Sequence, residues 1–175
     1  MTDLTFRTAT LADVDAIIPL VESAYRGEAS RKGWTTEADF LDGQRIDRQL
    51  LIELIKRDDA RVILVERDAE LIACCELQNQ QGIAYFGMFS VAPEGQGNGV
   101  GNHLLIEAER FAAREWQCRE MSMTVIDIRN ELIAWYERRG YRRTGVFKPF
   151  PYGDERFGIP RRDDLRFEVL SKALG

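Results

Sequence analysis

With 175 residues, 29 acidic and 24 basic side chains and a net charge of −5, the chain is long enough for one domain with a sizeable core. It lacks the basic surplus that binding a phosphate backbone requires, so nucleic acid is not an expected partner. No apolar run approaches membrane-spanning length, and Met1 to Arg7 holds neither a basic flank nor a cleavage-like segment, so a cytoplasmic location without membrane contact is expected.

In chain order, Leu4 to Arg7 reads as a first strand. Thr10 with Asp13 three residues later offers a capping box for a helix on which Val14, Ile17, Ile18, Val21 and Tyr25 share one face. Pro19 should kink that helix or move its start later. From Gly27 to Gly43 the periodicity dissolves into a loop, and the isolated Trp34 reads equally as a cap over the core edge or as part of a substrate pocket. Asp47 to Arg57 is a second helix on Leu50, Leu51, Leu54 and Ile55.

Arg61 to Glu66 and Glu70 to Leu77 read as strands joined by a hairpin turn without glycine. Ile83 to Val91 is the next strand. Its alternation puts Tyr85, Gly87, Phe89 and Val91 on one face and Phe86, Met88 and Ser90 on the other, with Gly87 marking a bulge or a close backbone approach. Leu104, Leu105, Ala108, Phe111 and Ala112 carry a helix to about Arg114. A strand over Met121 to Ile126, a helix over Glu131 to Arg139 ended by Gly140, and strands over Tyr141 to Phe147 and Leu165 to Leu170 complete the series. Residues 148–164 form a long loop rich in proline, glycine and aromatics, the kind that is usually functional.

Cys74, Cys75 and Cys118 are odd in number and lack C-x-x-C spacing, so they read as reduced, buried thiols. His103 is the sole histidine, and no metal is expected. The chemistry-bearing stretch is 88–105, where a strand passes through Gly97, Gly99 and Gly101 into a helix. Glycines allow close backbone approach, and free N–H groups at a helix start favour an anion, so this is the layout of a phosphate cradle. A P-loop would need a lysine and a hydroxyl residue after the last glycine, and neither is present. The Rossmann spacing fails as well, because its last glycine position falls on Val100 or Asn102.

The run Gln96-Gly97-Asn98-Gly99-Val100-Gly101 resembles the Q/R-x-x-G-x-G/A loop of the GNAT superfamily of acetyl-CoA-dependent N-acyltransferases. Phe89-Ser90-Val91-Ala92-Pro93 looks like that family's strand end, and Ala134-Trp135-Tyr136-Glu137-Arg138-Arg139-Gly140-Tyr141 looks like its second signature. The resemblance implies an α/β (α+β) fold over 1–175 as a single domain, with a mixed, splayed sheet of about six to seven strands flanked by about four helices. It also implies acetyl-CoA as cosubstrate, with its pantetheine arm against Phe89, Ser90 and Val91 and its pyrophosphate on Gln96, Gly97, Asn98, Gly99, Val100, Gly101 and Asn102.

By the same resemblance the reaction is transfer of an acetyl group to a primary amine by direct attack. Tyr136 would act as general acid at the cofactor, and the Phe89 backbone N–H as oxyanion donor. Where many members carry a cofactor-contacting asparagine this chain has Arg129, with Asn130 one residue off, so either side chain could serve. For the general base, Glu76, Asp127 and a water relay stay open. The acceptor, a small molecule or a peptide, is expected near Trp34 and Tyr152, with Glu28, Glu37 and Asp39 available to draw in a cation. A homodimer is a further expectation, and the alternative function is a catalytically silent acyl-CoA-binding module.

Overall fold

The computed structural model describes residues 3–26, 37–38, 41–93 and 99–175. In chain order the elements are β1 (Thr5–Thr8), α1 (Val14–Tyr25), β2 (Leu41–Asp42), α2 (Arg48–Lys56), β3 (Ala60–Arg67), β4 (Glu70–Gln80) and β5 (Ile83–Val91). There follow α3 (Val100–Glu115), β6 (Glu120–Ile126), α4 (Asn130–Glu137), β7 (Arg142–Pro149), β8 (Ile159–Pro160) and β9 (Arg166–Ala173). The seven longer strands form one sheet in the order β1-β3-β4-β5-β6-β9-β7, and β2 pairs with β8 apart from it.

Local chemistry accounts for most boundaries. The Asp13 carboxylate accepts the Thr10 backbone N–H at 2.8 Å, satisfying a donor at the entry to α1. Pro19 lies inside α1, which begins at Val14, so the proline does not delay the helix start. Asp47 caps α2 by accepting the Leu50 N–H at 2.9 Å. The glycine-free hairpin turn between β3 and β4 is built by Asp68 and Ala69 at φ 53° and 64°, the two positive values that a two-residue turn of this twist demands.

The sheet is covered on both faces, so β3 is apolar along its length rather than alternating. Val62 and Leu64 join α1 and α2 in one buried cluster. Ile63 and Val65 point the other way, into a larger cluster with α3 and α4. Cys74, Cys75 and Cys118 are free and buried. The amphipathic spacing of α3 puts Leu104, Leu105, Ala108 and Ala112 into the larger cluster and leaves His103 exposed.

Two departures from the sequence expectations shape the site. Glu76 pairs with Gly87 but Cys74 pairs with Ser90, so β5 carries one extra residue, and Met88 takes a φ of 50° there. This β-bulge sits one residue beyond the glycine. It also resets the alternation, sending Phe86, Phe89 and Val91 together toward α3 and α4 and Met88 to the opposite cluster. Gly87 serves instead as a close approach: a Cβ there would lie 2.6 Å from the Glu76 Oε1. Second, β4 runs on to Gln80, which makes Glu76 a mid-strand residue rather than a strand end.

Replacing Leu104, fully buried in the larger cluster, by Ala should lower unfolding free energy by about 2–5 kcal/mol in urea titrations. Arg7, hydrogen-bonded to Asp13, holds that carboxyl down to about 2, below its ordinary 3.8. The stabilisation is therefore complete at neutral pH and fades as pH falls from about 4 to about 2. Arg7 is well exposed, so Asp13→Asn should cost under ~1 kcal/mol at pH 7. That difference should close in urea titrations near pH 2.

Candidate active site

Among the described residues β5 and β6 are the one parallel pair, and their ladder runs through Ile83–Glu120, Ala84–Met121 and Tyr85–Ser122. Beyond Tyr85 the strands part. β5 stays paired with β4 through the bulge to Ala73–Val91, while β6 stays paired with β9 up to Ile126–Phe167. A cavity of about 310 Å³ occupies the gap, and its lining includes Tyr25, Glu76, Phe89, Thr124, Arg129 and Tyr136.

Tyr136, on α4, is buried, with its ring 6.3 Å from that of Phe89 and 5.2 Å from that of Trp135. Burial drives its phenol well above the usual tyrosine range, with Tyr25 adding to the effect, so it stays protonated at neutral pH. The neighbouring Tyr141 is occupied otherwise, since its hydroxyl donates to Glu109 at 2.7 Å. Glu76 faces the cavity across Gly87. Burial raises the pKa of its carboxyl, with Arg45 opposing. Burial likewise raises the pKa of the Tyr85 phenol, reinforced by Glu76.

The Tyr25 hydroxyl donates to the Phe89 carbonyl, tying the end of α1 to β5 at the parting point. Around Tyr25 lie three arginines and one buried carboxylate. Arg26 pairs with Glu37, and Arg129 reaches the same carboxylate at 3.1 Å. Burial opposes the Glu37 charge, but Arg129, Arg26 and Arg45 prevail and lower its pKa below the ordinary value. The Arg45 guanidinium carbon lies 4.8 Å from the centre of the Tyr25 ring, a cation–π approach. Arg26 Nε is buried with no hydrogen-bond partner among the described residues.

At the cofactor-type loop, Gly99 supplies the left-handed residue before α3, with φ 79°. A Cβ on Gly101 would approach the Phe89 Cζ to 2.9 Å, so glycine lets the start of α3 sit against β5. Val100 is buried and Asn102 accepts from Arg139 Nε at 2.8 Å. Ser90 is buried, with its hydroxyl donating to the Met88 carbonyl, and Val91 ends β5 inside the core. Gln96, Gly97 and Asn98 lie outside the described residues, as do Glu28, Trp34 and Asp39.

The remaining candidates separate in space. Arg129 turns into the cavity and Asn130 is exposed at the start of α4. Asp127 is engaged by Arg166 at 2.6 Å. Tyr152 is exposed and staples its own loop, donating to the Arg162 carbonyl and accepting the Leu165 N–H, while Phe150, Pro151 and Phe157 line the cavity. Arg26, Arg45, Tyr25 and Tyr85 escaped the sequence reading as site residues. They come from separate segments, and no local spacing links them.

Comparison with known proteins bears on this geometry. Residues 20–141 match the model of the Acetyltransferase (GNAT) family. An amino-acid acetyltransferase of Ralstonia nicotianae is 31% identical over 143 residues, which is 80% of this chain but only 27% of that longer protein. Among solved structures, the ribosomal-protein-S18-alanine N-acetyltransferase of Escherichia coli superposes with a TM-score of 0.73 at 12% identity, covering 99% of this chain and 95% of that one. The PaiA N-acetyltransferase of Thermoplasma acidophilum, solved in complex with coenzyme A, gives 0.69 at 17% identity, covering 98% and 99%. The signatures at 96–101 and 134–141, the parted sheet and the family match agree: this chain belongs to the GNAT family of acetyltransferases.

Proposed function

We propose that residues 1–175 act as one domain that moves an acetyl group from acetyl-CoA to a primary amine by direct attack, with Tyr136 as general acid and Glu76 as general base. The observation that carries this reading is that both side chains line the same cavity, opened where β5 and β6 part.

The thioester arm would lie along Phe89 to Val91, where β5 has left its ladder with β6, adding to the strand edge by backbone hydrogen bonds. The pyrophosphate would rest on the loop from Gln96 to Asn102 and the start of α3, where helix N–H groups favour an anion. Gly101 supports this fit, since any larger residue would push α3 off Phe89. Arg129 and Asn130 flank the start of α4, and Arg129, already held on Glu37, serves the acceptor side.

As the amine nitrogen bonds to the carbonyl carbon, its proton passes to Glu76, and the negative charge on the carbonyl oxygen is met by the Phe89 N–H. The C–S bond then breaks and the sulfur takes the Tyr136 proton. Solvent returns a proton to Tyr136 and removes one from Glu76. The raised pKa of Glu76 makes it a stronger base than an exposed carboxylate, and the raised pKa of Tyr136 keeps its proton available.

Tyr136→Phe should lower kcat about 100-fold or more in a thiol-release assay, with acetyl-CoA binding by calorimetry nearly intact. Unaltered turnover would remove the acid role. Tight acetyl-CoA binding with no thiol release from any amine would favour the silent module. Glu76 must be ionised to act, so kcat/KM should rise with pH through a limb lying above the ordinary carboxylate range. Glu76→Gln should lower kcat/KM and flatten that limb in a pH–rate profile.

A further inference from the structure

The charges lining the cavity are uneven. Among the described residues, three guanidinium groups, Arg26, Arg45 and Arg129, face it with two carboxylates, Glu37 and Glu76, although the whole chain carries −5. Glu37 is consumed by Arg26 and Arg129. Glu76 lines the cavity without an ion pair to any of the three among the described residues. Arg45 makes no ion pair among the described residues, yet it stays charged beside Tyr25. Among the described residues, donors therefore outnumber acceptors. A second cavity of about 320 Å³ adjoins the first, and Arg45, Glu76, Met88 and Phe157 line both.

A polyamine entering here would bring further positive charge against three arginines in a desolvated space, whereas a carboxylate would supply the missing partner. We infer that the acetyl acceptor is an amino acid or another small amino-carboxylate, its carboxylate held by the Arg45 guanidinium and its amine directed to Glu76. This inference rests on the acetyltransfer reading and deepens it by naming the acceptor class. Arg45 arrives from the segment between β2 and α2, anchored by its backbone N–H donating to Glu22 on α1 at 2.7 Å. The side chain of the acceptor would extend between Arg45 and the Leu50, Leu51 and Leu54 wall of the second cavity.

The test compares amino acids with their carboxamides and decarboxylated amines, and with spermidine, in thiol release. Loss of a charge-assisted hydrogen-bonded pair should make the carboxamides about 10- to 100-fold poorer in kcat/KM. Arg45→Gln should compress that ratio to near one, and Arg45→Lys should retain part of it, with circular dichroism confirming that both variants fold. A second arm is independent of turnover: in the presence of coenzyme A, N-acetyl amino acids should raise the Tm of the wild type, and their amides should not. That shift should be lost in Arg45→Gln. Preference for spermidine, an Arg45→Gln effect confined to the acetyl-CoA KM, or equal Tm shifts from acids and amides would overturn the inference. Absence of thiol release with the Tm pattern intact would overturn the enzyme reading alone.

Discussion

The extra residue in β5 at Met88 is the constraint on which the site depends. Without it, β5 would continue its alternation and carry Phe86 and Phe89 to opposite faces. With it, both rings face α3 and α4, 5.4 Å apart, and the Phe89 ring comes under Tyr136. The bulge lies just past Tyr85, where β5 leaves β6, and the cavity opens in the gap. A positive φ on a residue with a Cβ costs roughly 1–2 kcal/mol. Burying the Met88 side chain against α1 and α2 contributes roughly 1.5–3 kcal/mol, enough to offset it.

The bulge also shows where reading a sequence stops. Periodicity located all seven long strands and four helices, because each buries a face and the apolar spacing follows. The cofactor-type loop and the Trp135-Tyr136-Glu137 run were legible as local signatures, since a phosphate cradle and a helix-borne tyrosine need contiguous residues. The bulge was half legible: Gly87 pointed to the right place, but glycine serves there as room for Glu76, and the unusual backbone falls on Met88. The β2–β8 pair, two residues long on each side, is too short to show a period. The arginine cluster was invisible for another reason. Arg129 and Glu37 are 92 positions apart, and only the folded sheet brings them together.

That cluster has a structural consequence apart from any substrate. Removing a buried carboxylate and two guanidinium groups from water is costly, and their mutual attraction repays it only with close geometry. Here the geometry is close, and its members belong to the end of α1, the segment at 37–38 and the N-cap of α4. Arg26 also donates to the Phe157 carbonyl at 3.2 Å, drawing in the loop before β8. Three chain segments that share no strand ladder thus meet on one carboxylate, and a fourth joins them through Arg26. An apolar cluster of similar volume would hold them with less desolvation cost, but it would leave the cavity wall uncharged and free to repack. Arginine in place of lysine keeps the charge despite burial, and its planar fork fixes each segment at a defined angle to Glu37. Tyr25 then carries that order to β5, because its hydroxyl holds the Phe89 carbonyl while Arg45 and Arg129 lie over its ring. The charged wall and the bulged strand are in this way joined through one side chain, Tyr25.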